Sequence, residues 1–526
     1  MTSEGANRLG RRPRPALAVG AGIFLSRLAG FGRDVAIAAF FGTTVAADAY
    51  AAALRIPNII RNLLGEGTLS ASFIPVYSGL LGRDADSDAR RLAGNVLGLL
   101  LVLAAALSGL GVLLAPWLTR LLVPGWPAES VALTTWLVRI LFPMAGFMIL
   151  AAWCLGVLNS HRRFFLSFAA PVVWNLSQIV GLLVAWKAGW RPLVVALAWS
   201  TLIGGALQVL IQLPAARRLA GSIRLSLQTA WGPVRRVIRN FGPVVLGQGV
   251  AQLASLLDVF LASFLVHGAV AALYYSQRLY FLPVSLFGIA VAASSLPELS
   301  READAAAFDA LRQRIRHGFR NIAFTVLPSA VALILFGDWI IALLFQRGDF
   351  LAEDTAIVHG TLAAYAVGLL AAASVKLFAS GFHAMLDTRT PVRYAVVGLV
   401  LQVAIAASLM WSLYAPGLGL GAALGSSCYL LLLWNGLSKR IGHLFTSDDI
   451  LYMIKVVAGV AAAAATGLAI LAWLAPAPAT AAALLTRLWV TAATLAAFGL
   501  VYLGAARLFG TLPAAGLRFW SEETGS

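Results

Sequence analysis

Apolar stretches of about 20 residues, the length that crosses a bilayer as a helix, recur from one end of the chain to the other, with short polar turns between them. Taken in order they predict fourteen helices. A first set covers 16–41, 46–81, 92–122, 131–159, 165–186 and 191–213. A second covers 236–266, 271–298, 318–346, 355–384, 391–412 and 417–438, and a final pair covers 449–474 and 484–509. The stretch 46–81 is too long for one straight crossing and holds Pro57, Gly65, Gly67 and Pro75, so a bend or break is expected there. The Arg-rich stretch 224–239 reads as an amphipathic helix on the cytoplasmic surface. The expected fold is an all-α polytopic membrane protein with no separate soluble domain.

The pattern repeats once, at a long period. Ser72-Phe73-Ile74-Pro75 parallels Ser294-Ser295-Leu296-Pro297, and Trp117 parallels Trp339, both 222 positions apart. Six helices per copy bring each copy in from the same side, so the two are expected as parallel lobes. The predicted division is 1–222 for the N-terminal lobe, 223–445 for the C-terminal lobe and 446–526 for the appended helices and tail.

Two polar interruptions break the first apolar region: Ser26-Arg27-Leu28-Ala29-Gly30-Phe31-Gly32-Arg33-Asp34, and Pro57-Asn58-Ile59-Ile60-Arg61 through Gly65-Glu66-Gly67. With Arg55 they place four arginines within 35 residues. An Arg at the centre of a spanning helix costs about 2.5–3.5 kcal/mol on insertion scales. Two readings relieve that cost: snorkelling to the headgroups, or a water-filled cavity lined with guanidinium groups. A cavity suits an anionic, phosphate-bearing substrate, because Arg offers planar bidentate donors. Arg278 joins the set from the second copy, and the lobes are expected to enclose one central cationic cavity.

Composition agrees and narrows the choice. The chain has 526 residues, 60% hydrophobic and 12% charged, with mean hydropathy +0.85. Its net charge of +17 is uneven: the connections holding Arg83, Arg90, Arg162, Arg217, Arg235, Arg312 and Arg389 are basic, while the alternate ones are nearly uncharged. That is the positive-inside pattern, with both termini cytoplasmic. The charge is thereby explained without nucleic acid. The apolar run from Ala16 is interrupted by Arg27 and Arg33 and no small-x-small cleavage site stands out, so a cleaved signal peptide is not expected. Cys154 and Cys428 lie in predicted helices and the six histidines are scattered, so neither a disulfide nor a metal site is expected. Asp448-Asp449 reads as a helix start, and Asp349, Glu353 and Asp354 as a solvated outer loop.

On these residues the chain resembles the MurJ (MviN) lipid II flippase family of the multidrug/oligosaccharidyl-lipid/polysaccharide exporter superfamily. The matching stretches include Ser26-Arg27, Gly30-Phe31, Arg33-Asp34, Asp48-Ala49, Pro57-Asn58, Arg61 and Glu66-Gly67. Tyr274-Tyr275, Arg278-Leu279, Phe345-Gln346-Arg347-Gly348 and Lys376 follow. The resemblance implies movement of lipid II, an undecaprenyl-diphosphate-linked peptidoglycan precursor, from the inner to the outer leaflet of a bacterial inner membrane by a monomer, with membrane lipids as its other contacts. It maps cavity arginines onto Arg27, Arg33, Arg61 and Arg278 and acidic positions onto Asp34, Asp48 and Glu66, and Arg55, Asn58 and Lys376 join them as candidate substrate-binding residues. The last two helices correspond to a groove for the prenyl tail. Glu66 is expected to pair with a cavity arginine until phosphate displaces it.

No cofactor is implied, only coupling to membrane potential, Na+ or H+. Asp258 matches the first position of the family's sodium site, but Gln402 is the only polar candidate in the helix over 391–412. A hard cation wants several oxygen ligands, so Asp258 either binds a proton or pairs with Gln252 or an arginine. Two alternatives stay within the superfamily: export of another prenyl-diphosphate-linked oligosaccharide, and drug export, against which the arginines speak. An enzyme acting on prenyl phosphates would need clustered carboxylates or a nucleophile with its base, and the sequence offers neither.

Overall fold

The computed structural model describes residues 15–304, 307–475 and 477–513, and every regular element among them is helical. The chain forms two compact units, Met1–Ile37 with Ala49–Leu256, and Ala38–Asp48 with Leu257–Ser526.

Unit 1 is built from α1 (Pro15–Phe41, up to Ile37), α2 (Val45–Leu64, from Ala49), α3 (Glu66–Ser72), α4 (Ile74–Leu81), α5 (Asp86–Leu122), α6 (Ala128–Ser160), α7 (Phe164–Ala169), α8 (Pro171–Lys187), α9 (Leu193–Ala220) and most of α10 (Gly232–Ala262). The long second stretch is broken as its glycines and prolines predict. The first break is at Gly65, where a Cβ would run into the carbonyl of Arg61. The second is at Phe73, ahead of Pro75 at the start of α4. The core is apolar and aromatic: Phe73, Tyr77, Trp153 and Leu92 are fully buried between α3, α4, α5 and α6.

The expected surface helix over 224–239 is not formed. Residues 221–231 run without helical structure, and 232–239 are the first turns of α10. The reason lies on α5. Gly94 and Gly98 are one turn apart, and their missing side chains let the carbonyls of Arg224 and Ser226 settle against the helix. Asn95, between them, accepts the Gln228 amide at 2.9 Å, and Arg91 donates to Gln228 Oε1 at 2.7 Å while lying over the Trp231 ring. A backbone satisfied by a neighbouring helix in this way has no need of its own helical bonds.

Unit 2 holds the turn between α1 and α2, the end of α10, then α11 (Ala269–Pro283), a single wide π-turn over Val284–Ile289, α12 (Ala290–Asp304), α13 (Phe308–Leu335), α14 (Gly337–Leu344), α15 (Ala352–Val367), α16 (Leu369–Ala384), α17 (Arg389–Leu413), α18 (Ala415–Ile441), α19 (Ser447–Leu474) and α20 (Leu484–Leu508). α15 and α16 meet at a 42° bend. The last two helices are fastened to α13 and α14. Phe324, Phe336, Val460 and Phe498 pack together, and Tyr502 donates to the Phe324 carbonyl at 2.6 Å. Buried Arg487 donates to the carbonyls of Ala342, Gln346 and Thr480 at 3.0–3.1 Å. At the other end Asp449, the capping residue of α19, takes Arg320 at 2.6 Å.

Ten helices among the described residues are long and apolar enough to cross a membrane, and the bent α15–α16 pair makes an eleventh. α2 is not among them, since it carries Asp48, Arg55 and Arg61 in 20 residues.

Candidate functional site

In unit 1 one arginine from each of the first two predicted helices meets the same tryptophan. Arg33 is only 5% exposed. Its guanidinium donates to Asp34 Oδ1 at 2.7 and 3.1 Å and to Asn175 Oδ1 at 3.0 Å. Its carbon lies 5.1 Å from the centre of the Trp174 ring, and that of Arg61 lies 5.7 Å from the same ring. Such contacts each contribute about 0.5–2 kcal/mol, more when desolvated. Trp174 is fixed in turn by its Nε1, which donates to the Thr201 carbonyl at 3.1 Å. Below it Tyr50 donates to Gln178 Oε1 at 3.0 Å and meets the Thr201 hydroxyl at 2.8 Å. A buried charge is tolerated when its partners are fixed, and here α1, α8 and α9 fix them. Two guanidiniums drawn to one ring are a donor array of the kind an oxyanion takes.

Around this pair, Arg27 is exposed on α1, and half-buried Arg55 donates to Ser255 at 3.1 Å. Asn62 donates to Gln252 Oε1 at 3.4 Å. Asn58 Oδ1 is buried and has no hydrogen-bond partner among the described residues. Glu66 opens α3, and its side chain lies outside the described residues, as does the expectation placed on it.

Unit 2 places the remaining predicted residues elsewhere. Asp48, 1% exposed, accepts the amides of Gly268 at 2.6 Å and Ala271 at 2.7 Å. Both carboxylate oxygens are therefore spent on the start of α11, where the helix dipole favours them. Asp354, expected in a solvated loop, is half-buried: it accepts the Thr43 hydroxyl and, at 2.7 Å, the Leu351 amide. Arg278 is exposed on α11, 4.7 Å from the Tyr274 ring and donating to its hydroxyl at 3.2 Å. Lys376 is exposed on α16. Asp258 accepts Gln402 Nε2 at 2.9 Å and Gln277 Nε2 at 3.5 Å, and Gln277 also donates to Tyr365 at 3.0 Å.

A family model described as lipid II flippase MurJ matches residues 37–496. The chain belongs to the MurJ family. A probable lipid II flippase MurJ of Rhizobium meliloti (strain 1021) is 34% identical over 496 residues, spanning 93% of this chain and 92% of its own length. The lipid II flippase MurJ of Burkholderia cenocepacia is 33% identical over 441 residues, 81% of this chain and 84% of its own. A solved lipid II flippase MurJ in an inward closed conformation has the same fold, with a TM-score of 0.76 at 23% identity over 94% of this chain and 98% of its own. An inward-facing multidrug resistance MATE family transporter of the MOP superfamily follows, at 0.66 and 17% over 82% and 99%. The fold is therefore the expected all-helical exporter fold.

The MurJ motifs named the arginines but not what holds them. Trp174 and Asn175 stand at the centre of the unit 1 cluster and escaped the sequence reading. A signal was present: Asn175 and Gln178 are amide side chains three apart in the largely apolar α8. Polar side chains inside a span are rare and face protein rather than lipid.

Proposed function

We propose that this chain moves lipid II from the cytoplasmic to the outer leaflet of a bacterial inner membrane by alternating access, acting as a monomeric transporter and not as an enzyme. Membership of the MurJ family supports the substrate. The observation that carries the chemistry is the shared tryptophan: Arg33 and Arg61 both lie over Trp174, with Arg33 held by Asp34 and Asn175. A diphosphate brings several oxyanions, and two guanidiniums whose mutual repulsion it relieves are a fitting receptor. Arg61, the more exposed of the two, makes the first contact, while Arg33 sets the field behind it. Arg27, Arg55 and Asn58 supply further polar groups from α1 and α2. Arg278 in unit 2 offers a guanidinium with an aromatic neighbour of its own, and Lys376 a second exposed cation. The apolar faces of α19 and α20 take the prenyl tail.

The energy source we assign is the membrane potential, with H+ rather than Na+ at Asp258. Gln402 and Gln277 donate amide N–H groups to that carboxylate, an arrangement that supports a proton there over a hard cation, which takes oxygen ligands. Flipping should therefore be unchanged when Na+ is replaced by K+, and a requirement for Na+ would refute that assignment.

The test of the function is the accessibility of lipid II from outside in cells depleted of this protein, then supplied with wild type or Arg61→Ala. Accessibility should fall on depletion and return with wild type alone. If it never falls, lipid II is not the substrate. If Arg61→Ala restores it, the cluster is not the receptor.

A further inference from the structure

At the end of unit 1 away from the basic connections, α5, α6 and the connection between them line a cavity of about 720 Å³. Small-molecule sites span roughly 300–1,000 Å³. Arg120 lines it from α5 and Arg139 from α6, with Trp126, Trp136, Thr135 and Pro116. Trp126 is buried, while both arginines and Trp136 are exposed. Neither guanidinium has an ion pair or a hydrogen bond among the described residues.

Arg139 is the harder of the two to explain. It lies 11 residues beyond Ala128, about 16 Å along the helix at 1.5 Å per residue, inside a stretch that otherwise reads as a membrane span. A lone arginine there could snorkel. Two arginines from different helices converging on one concave, tryptophan-walled space repel each other instead. The arrangement is relieved when an anion sits between them. Thr135, Trp136 and Arg139 share a face of α6 at helical spacing, so both arginines are carried by helices, and the connection between α5 and α6 closes the space with Val123, Pro124 and Trp126.

We infer that this cavity binds the phosphate of a membrane lipid, held by Arg120 and Arg139, with the lipid's apolar part against Trp136. On the orientation given by the loop arginines, the site opens to the outer leaflet. It is separate from the Trp174 cluster and does not depend on what the chain transports. The phosphate could be that of an anionic glycerophospholipid or of a polyprenyl phosphate, and the experiment tells them apart.

The purified full chain is stripped of lipid, then titrated with dioleoylphosphatidylglycerol or with undecaprenyl phosphate, and bound lipid is counted by native mass spectrometry. Wild type should retain one lipid that Arg120→Gln/Arg139→Gln binds at least about tenfold more weakly. Arg61→Ala, which leaves this cavity intact, should retain it as wild type does. The lipid with the tighter wild-type binding identifies the source, and either one supports the site. If the double variant melts early, Arg120→Lys/Arg139→Lys replaces it: the charge stays, the bidentate geometry goes, and binding should still weaken. Equal retention of both lipids by wild type and the folded double variant would overturn the inference.

Discussion

Replacing Asp48 should loosen the start of α11 without unfolding unit 2. The carboxylate accepts two buried amides, Gly268 and Ala271, through different oxygens. A hydrogen bond to a charged group contributes about 1.5–3 kcal/mol, and a charge at a helix N-terminus a further 0.3–1 kcal/mol or so. Asparagine keeps one acceptor but turns an N–H towards the second amide. Asp48→Asn therefore loses one bond and the charge, about 2–4 kcal/mol. Alanine loses both bonds and the charge, about 3–7 kcal/mol. At about 1.4 kcal/mol per tenfold, opening of this turn becomes about 30- to 700-fold more frequent in the Asn variant. Hydrogen exchange of a peptide covering Gly268–Ala272 reads that opening directly, with peptides from α17 and α18 as controls. The expected order is Asp48→Ala fastest, then Asp48→Asn, then wild type, with the controls unchanged. Wild-type exchange in the alanine variant would show that the carboxylate does not hold those amides.

Three further outcomes follow from the same structure. Trp174→Leu removes the ring shared by Arg33 and Arg61, and should cut lipid II flipping at least about tenfold while Trp174→Phe retains most of it; a fully active Leu variant would detach the ring from function. Gly98→Ala places a methyl 2.5 Å from the Ser226 carbonyl, so trypsin should cut at Arg224 about tenfold faster, whereas Gly109→Ala, with open space around it, should change nothing. Asp387, outside the spans, would be raised by burial alone. The Thr390 hydroxyl and amide and the Arg440 guanidinium, 2.6 Å away, instead hold its carboxyl below the usual range. A depressed carboxyl adds stability above the ordinary value of about 4, and that stability is lost as pH falls towards the depressed one. Asp387→Asn should therefore lower the melting temperature at pH 7 but matter progressively less in acid; a constant difference would refute the linkage.

The helices were legible because a span must be long and apolar, and such a run needs no knowledge of its neighbours. Gly65 announced the break after α2 for the same reason, since the constraint is local. What escaped was non-local. Nothing near Arg33 points to Asn175, 142 positions away, although a polar residue in α8 was itself conspicuous. Asp48 read as a substrate-side carboxylate because its motif is shared within the family; its employment on amides beyond position 260 depends on tertiary placement. The stretch 224–239, expected as one surface helix, is helical only from Gly232 on. Its own residues permit an amphipathic helix, and the glycines that overrule it belong to α5, over a hundred positions earlier.

That last segment also limits how the protein can be modified. Between α4 and α5 the turn at Gly82–Asp84 is exposed, and extra residues there only lengthen a loop. Between Gly221 and Trp231 the spacing is metered. Arg224 and Ser226 set their carbonyls on successive turns of one helix, and the Gln228 amide must reach Asn95. One residue added or removed turns the following side chains to the opposite face, as a register slip does in a sheet. A reporter domain tolerated at Arg83 would thus act at Leu225 as a frame error written in space, with no change to any residue that touches substrate.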